Sequence, residues 1–291
     1  MMNKFENFII NYGYNKMDTQ ENYIGPRDDS FSDMIKNLLL SGKLKPEYTD
    51  LIIENGRDVY SQVFTHPSVD SNNNYEIYEI LGDSTINSCM VWYFYRRFPQ
   101  LNSPSGVKVI ARLKINYVSK NIFYRFAESI NFWKFISADA NTRQTKMKPT
   151  LEDVFEAFFG STQYLIDKYI RQGAGYSICY NIIANMMDAI DISLKYEDLF
   201  DAKTRLKETF DMFSKDGIGQ LKYENEKIEQ IQYVTVYRIV QSGPKRGKYP
   251  IGKGSASLKP DAEQRAAEDA IRNLAKMGYK KPIPEFYKTL N

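Results

Sequence analysis

Residues 74–98, NYEIYEILGDSTINSCMVWYFYRRF, place Glu76, Glu79 and Asp83 at i, i+3 and i+7. At 3.6 residues per turn that spacing sets all three carboxylates on one face of a helix. A charged stripe facing solvent would read the same way. Two features weigh against the stripe. Gly82 sits inside the helix, where glycine costs about 1 kcal/mol relative to alanine, so it marks a close approach of another backbone beside Asp83. Ile77, Ile80, Leu81 and Ile86 surround the acids, which then read as a polar interruption in a largely buried helix.

A second stretch, PTLEDVFEAFFGSTQYL (149–165), puts Asp153 and Glu156 at i and i+3, followed by Gly160-Ser161. Thr150-x-x-Asp153 also fits a capping box, with an acid favoured by the helix dipole, but that reading leaves Glu156 unexplained. If the two helices cross at their glycines, Glu79, Asp83, Asp153 and Glu156 converge. Like charges so close cannot all stay ionised without a cation. Hard oxygen donors with neither Cys nor His call for Mg²⁺ or Mn²⁺, ions that activate water and neutralise a phosphodiester in one- or two-metal hydrolysis. No small-molecule cofactor is expected.

The rest of the composition removes competing chemistries. Cys89 and Cys179 lack CxxC spacing and His66 is the only histidine, so no Cys/His zinc site can be assembled, and both cysteines read as buried thiols. No apolar run reaches the ~18 residues of a membrane span, and MMNKFENFIINYGYNK mixes apolar residues with charges and amides, unlike a signal peptide. An intracellular, cytoplasmic protein without membrane attachment is expected.

At about 100–200 residues per domain, 291 residues predict two domains. Residues 1–29, rich in Asn, Asp, Tyr and Gly, read as a loose N-terminal arm with Gly25-Pro26 as a breaker. Residues 30–192 read as helical: 31–42, 46–56, 76–98, helices through 107–136, a basic loop from Ala138 to Pro149, then 150–169 and 176–190. Gly42 and Gly56 serve as helix stops. A linker at 193–200 leads to an α-β-β-β-α pattern at 201–278, with strands at LKYENEKI, QYVTVYRIV and YPIGKGSAS, and a tail at 279–291. Charge divides along the same line. Residues 201–291 carry 18 Lys and Arg against 12 Asp and Glu, while the first 200 carry 21 against 24. A basic module beside an acidic one suits nucleic-acid docking next to a cation-dependent catalyst.

The acidic segments resemble the signature motifs of the ribonuclease III family. YEIYEILGDS is similar to the acidic signature helix and EDVFEAFFGS to the second acidic motif. FTHPS (64–68) is similar to the segment leading into the signature, and RLKINYVS (112–119) stands where the intervening helix belongs. The likeness covers about residues 45–175. It implies an all-α ribonuclease III endonuclease domain plus a small α+β (α-β-β-β-α) double-stranded RNA-binding domain. Glu79, Asp83, Asp153 and Glu156 match the family's metal-ligand positions and Glu76 an additional signature acid. A Mg²⁺-dependent homodimer is implied, each site cutting one strand of double-stranded RNA to leave 5′-phosphates, 3′-hydroxyls and short 3′ overhangs. Ile77 and Tyr78 replace the family's usual Arg and Leu, and an acid near Val107 is missing. The family's histidine matching His66 is not a metal ligand, and a general base needs reach to the substrate.

IGKGSASLKPDAEQRAAEDAIRNL (251–274) resembles the last part of a double-stranded RNA-binding domain, which grips phosphates at a helix N-terminus and reads shape in the minor groove. Lys259 fits the phosphate role, while Pro260 replaces a second lysine. The Gly-Pro-x-His loop is absent, leaving the turn IEQI (228–231). A basic loop, SGPKRGK (242–248), offers Lys245, Arg246 and Lys248 as phosphate contacts, although a solvated hairpin reads alike. Lys207 and Arg265 are further candidates. The rival function is a catalytically silent duplex-RNA-binding relative, which has no physical reason to retain four converging carboxylates.

Overall fold

Twelve α-helices and one three-stranded sheet are defined in the computed structural model, which describes residues 22–118, 120–241, 243–244 and 246–290. In chain order they are α1 (Asp29–Ser41), α2 (Pro46–Val63), α3 (Glu76–Arg97), α4 (Val107–Tyr117), α5 (Lys120–Ser129), α6 (Ala140–Thr145), α7 (Met147–Tyr169), α8 (Ala174–Asp188), α9 (Tyr196–Leu199) and α10 (Ala202–Met212). Then follow β1 (Gln220–Ile228), β2 (Ile231–Val240), β3 (Gly247–Ala256), α11 (Lys259–Lys276) and α12 (Glu285–Lys288). The chain forms two compact units. One runs to Pro99 and resumes at Leu113–Asp191; the other joins Gln100–Arg112 to the chain from Ile192 onward. No described helix is long and apolar enough to cross a membrane.

The first unit is built around α7. Phe155, Phe158 and Phe159 give it an apolar surface on several sides, and all three are buried. Tyr60 and Phe132 pack their rings on Phe158, and the buried Tyr60 hydroxyl is satisfied by a 3.1 Å hydrogen bond with Thr162. Cys89 and Cys179 are buried free thiols; burial pushes Cys89 up to about 12 and Cys179 well above its ordinary value, so neither is a nucleophile.

Several local expectations change. α2 runs through Gly56 to Val63 instead of stopping there. A Cβ on Gly56 would stand 2.7 Å from Leu165 of α7, so this glycine serves helix packing. Gly42 does cap α1. The supposed loop at Ala138–Pro149 contains α6, capped by Asp139 accepting from the Thr142 N–H at 2.6 Å, and the start of α7 at Met147. Thr150 is therefore buried inside the helix, and the capping box does not form. Ile86 is buried, but Ile77, Ile80 and Leu81 are exposed by 57, 68 and 45%. The start of α3 thus shows an apolar face to solvent instead of burying it.

The described part of the N-terminal arm is pinned down. Tyr23 pairs in an antiparallel bridge with Ala138, and a Cβ on Gly25 would lie 2.0 Å from the Phe135 carbonyl oxygen. Arg27 inserts its guanidinium beneath the strap and donates to the carbonyls of Phe135 (2.6 Å), Phe64 (3.0 Å), Gly25 and Ser61, with Nε on Ser61 Oγ. Burial pulls its pKa down to about 10. The same segment holds the FTHPS stretch, since Ser137 N–H donates to Phe64 O and His66 N–H to Ser137 O. Arg27→Met takes the donor from the Phe135 and Gly25 carbonyls, while Phe64 O keeps the Ser137 N–H and Ser61 O the Thr65 hydroxyl, and at ~1–3 kcal/mol for a stranded buried polar group the variant is expected to lose about 3 kcal/mol. Urea unfolding measures this, and a loss under about 1 kcal/mol would show that the strap is dispensable.

In the second unit β1-β2-β3 form an antiparallel sheet in sequence order. α10 and α11 cover one face through Leu206, Phe210, Val234, Val236, Ile251, Ala266, Ala270 and Leu274. Gly252 and Gly254 let α11 lie against β3: an added Cβ would meet Ala266 O and Ala262 O at 2.4 Å. The tail is not loose, because Tyr287 is buried and packs its ring on Tyr196 and Phe200 of the linker segment.

Candidate active site

α3 and α7 touch backbone to backbone. A Cβ on Gly82 would lie 1.7 Å from Glu156 O, and one on Gly160 would lie 2.1 Å from Tyr78 O. This double contact brings the backbone preceding Asp83 against the backbone of Glu156. Asp83 is exposed and Glu156 half-buried. Asn87 donates to both the side chain (2.8 Å) and the backbone carbonyl (2.7 Å) of Asp83, which fixes the carboxylate on the helix surface.

The remaining acids gather one turn away, around Tyr75. α3 starts where Asn74 Oδ1 accepts the Glu76 N–H at 3.0 Å, so Glu76 and Glu79 leave its first turn. The Tyr75 ring is buried, and its hydroxyl donates to Asp153 Oδ2 at 3.2 Å. Burial, and then the charges of Asp153, Glu79 and Glu76, push the Tyr75 hydroxyl far above its ordinary pKa. The phenol therefore stays protonated and remains a donor to Asp153. His66 packs its ring edge-on against Tyr75. Its Nδ1 accepts the Ser68 N–H at 3.0 Å, and burial lowers its pKa, so it is a neutral ring locked into its own loop. Tyr75 lies inside the stretch that decides the fold. It escapes sequence reading because its role is a contact made across 78 residues.

Among the described residues no three His, Cys, Asp or Glu side chains stand arranged to hold a metal ion as they are. The donor set nonetheless fits Mg²⁺, which is bound by one or two carboxylates while keeping several waters and so does not require a closed protein cage. The carboxylates concentrate negative charge on two helices whose separation is fixed by backbone contact.

The five cationic candidates among the described residues do not form one patch. Lys259 opens α11 and faces Glu263 at 3.9 Å. Arg265 donates to Ser255 O at 2.7 Å, and Lys207 is exposed on α10. Lys248 pairs with Glu224 and lies 3.9 Å over the Tyr237 ring, and Arg246 is exposed just before β3. Lys245 lies outside the described residues. β3 separates Lys259 from Arg246 by ten residues, or about 30 Å at ~3.3 Å per residue.

The Ribonuclease III domain family matches residues 76–164. A putative ribonuclease 3 of Invertebrate iridescent virus 6 is 38% identical over 301 residues, covering 99% of each chain. A putative ribonuclease 3 of Frog virus 3 (isolate Goorha) is 39% identical over 243 residues, which span 83% of this chain and 62% of that one. Among solved structures, the nuclease domain of a ribonuclease III from Campylobacter jejuni is 21% identical, with a TM-score of 0.39, over 53% of this chain and 99% of that domain.

Proposed function

This chain belongs to the ribonuclease III family, and we propose that it is a Mg²⁺-dependent endonuclease that hydrolyses phosphodiester bonds of double-stranded RNA, leaving 5′-phosphates, 3′-hydroxyls and short 3′ overhangs. The observation that carries the reading is the glycine crossing of α3 and α7, with Asp83 and Glu156 flanking it and Tyr75 tying Asp153 to the turn that bears Glu79 and Glu76. Glu79, Asp83, Asp153 and Glu156 would hold the ion, with Glu76 at the rim. Bound there, Mg²⁺ supplies an activated water and neutralises charge on the phosphate. The protein's own share is orientation: Asn87 fixes Asp83, Tyr75 fixes Asp153, and the Gly82–Gly160 contact fixes the distance between the two helices.

A homodimer completes the reading, one strand cut per site. Ile77, Ile80, Leu81, Val91, Trp92 and Tyr95 are all exposed and fall on one side of α3 at three- and four-residue spacing, an apolar face suited to a second copy. The α-β-β-β-α unit at 201–278 is assigned as the RNA-binding domain, Lys259, Lys245, Arg246, Lys248, Lys207 and Arg265 as its phosphate contacts, and residues 30–192 as the nuclease domain. Incubating the full chain with labelled duplex RNA and Mg²⁺ tests the proposal. Cleavage in Mg²⁺ or Mn²⁺ but not in Ca²⁺ is expected; an intact duplex in both Mg²⁺ and Mn²⁺ overturns it.

A further inference from the structure

The strap formed by residues 23–27 lies outside both acidic motifs, yet it touches the segments that lead into them. Tyr23 and Ala138 exchange backbone hydrogen bonds of 2.9 and 3.0 Å, and the Gly25 N–H donates to Ser137 Oγ at 3.0 Å. From the other side, Thr65 pairs in parallel with Ser137. Residues 23–25, 137–138 and 64–66 are therefore three extended segments side by side, with Ser137 in the middle.

Each of the two segments that the strap binds together delivers the chain to an acid-bearing helix. Tyr75 N–H donates to Thr65 O at 3.3 Å, so the turn that opens α3 and carries Glu76 and Glu79 hangs from residues 64–66. On the other branch, Asp139 N–H donates to Ser68 Oγ at 3.1 Å and its side chain caps α6. Only Lys146 then separates α6 from α7, the helix of Asp153 and Glu156. A second grip acts on α6 itself. The Arg143 guanidinium lies between two rings, 4.2 Å from the centre of Tyr23 and 3.8 Å from that of Trp133, and donates to Trp133 O at 2.7 Å. A guanidinium over an aromatic face is attracted to its electrons, and the Tyr23 hydroxyl anchors its ring by donating to Lys134 O at 2.7 Å.

We propose that the strap is a positioning element of the metal site: by clamping residues 64–66 and 137–139 together and gripping Arg143, it sets the Mg²⁺ affinity of Glu79, Asp83, Asp153 and Glu156. Acids that are to share one ion repel one another before it binds. A clamp on the two entry segments opposes that spreading in advance, and binding to a preorganised site costs less. The strap acts through Thr65, Asp139 and Arg143, without itself contributing a ligand. The inference rests on the nuclease reading and adds to it residues that lie outside the matched stretch 76–164.

Thermal melts of the full chain across a series of Mg²⁺ concentrations, without RNA, test it. An ion bound only by the folded state begins to raise the melting temperature as its concentration passes the Kd. Tyr23→Leu takes the ring from Arg143 and the donor from Lys134 O, and Gly25→Ala lifts the strap, because its methyl would stand 2.0 Å from Phe135 O. Each is expected to raise the onset concentration of Mg²⁺ about tenfold, the lower end of the ~10–100-fold that supports of metal ligands are worth. The Mg²⁺ concentration for half-maximal cleavage of duplex RNA should rise by the same factor, while the rate at saturating Mg²⁺ stays within about threefold of the wild type. Gly56→Ala, a packing change in α2 against Leu165, is the control for general destabilisation and should keep the wild-type onset.

A wild-type onset in a folded Tyr23→Leu or Gly25→Ala chain overturns the proposal, and so does an equal rise in Gly56→Ala. Should Gly25→Ala fail to fold, Tyr23→Leu decides alone. If the wild type cuts duplex RNA in Mg²⁺ and the strap variants match its Mg²⁺ dependence, only the role of the strap is refuted. If the wild type is neither stabilised by Mg²⁺ nor able to cut, the nuclease reading falls and the strap loses its role with it.

Discussion

Glu156→Gln is expected to lower cleavage of duplex RNA in Mg²⁺ by more than about a hundredfold, because even the residues that merely support a metal ligand are worth about 10–100-fold in affinity or activity. The substitution keeps the shape of the side chain and removes one negative charge from the acids proposed to hold the ion, which also include Glu79, Asp83 and Asp153. Stability should therefore move the other way. Without metal, clustered carboxylates repel, so the variant is expected to melt at or slightly above the wild-type temperature in EDTA. Added Mg²⁺ should raise the melting temperature of the wild type, since an ion bound only by the folded state stabilises it by mass action. The variant should gain much less. Wild-type cleavage by Glu156→Gln would remove this residue from the catalytic set. Lost cleavage together with a much lower melting temperature in EDTA would assign it a structural role.

How far the sequence foretells this site depends on the range of each interaction. The helical spacing of Glu76, Glu79 and Asp83 is local, and α3 begins at Glu76 as that spacing requires. Gly82 and Gly160 are legible as close approaches, since glycine inside a helix has few other uses, and they meet at Glu156 O and Tyr78 O. Gly56 shows the limit of that signal: read as a stop, it is the same kind of packing glycine, here against Leu165. Thr150 fails as a cap because Asp139 and α6 deliver the chain into α7 three residues earlier. Ile77, Ile80 and Leu81 read as buried because hydropathy does not say whether the surface that covers a residue comes from its own chain. Arg27 has no sequence signature, since its partners are backbone carbonyls at Gly25, Ser61, Phe64 and Phe135 that any residues could provide. The basic loop and Lys259 look like a joint grip in sequence, and only strand register parts them.

The crossing that makes the site is also its most exacting point, and Gly82→Ala is expected to destabilise the first unit by more than about 3 kcal/mol, at or beyond the usual ~1–3 kcal/mol of overpacking. Alanine is the better helix former by about 1 kcal/mol, so propensity alone predicts a gain. The steric term opposes it and wins, because the new methyl would stand 1.7 Å from Glu156 O and 2.4 Å from its carbonyl carbon. That neighbour is helix backbone. It cannot rotate away, and relief requires α7 to shift as a body against Phe155, Phe158 and Phe159, which are packed close to fully buried. Gly56→Ala is the matched control, for there the methyl meets Leu165 Cδ1 at 2.7 Å, the end of a side chain that can change rotamer. Its expected cost is about 1 kcal/mol or less once the propensity gain is included. Urea unfolding of the two variants measures the difference. Because the displaced atom belongs to Glu156, any Gly82→Ala protein that folds should also have lost its response to Mg²⁺ in thermal melts. A Gly82→Ala chain as stable as the wild type and still stabilised by Mg²⁺ would mean that α3 and α7 do not touch there, and the case for a carboxylate cluster held by that contact would go with it.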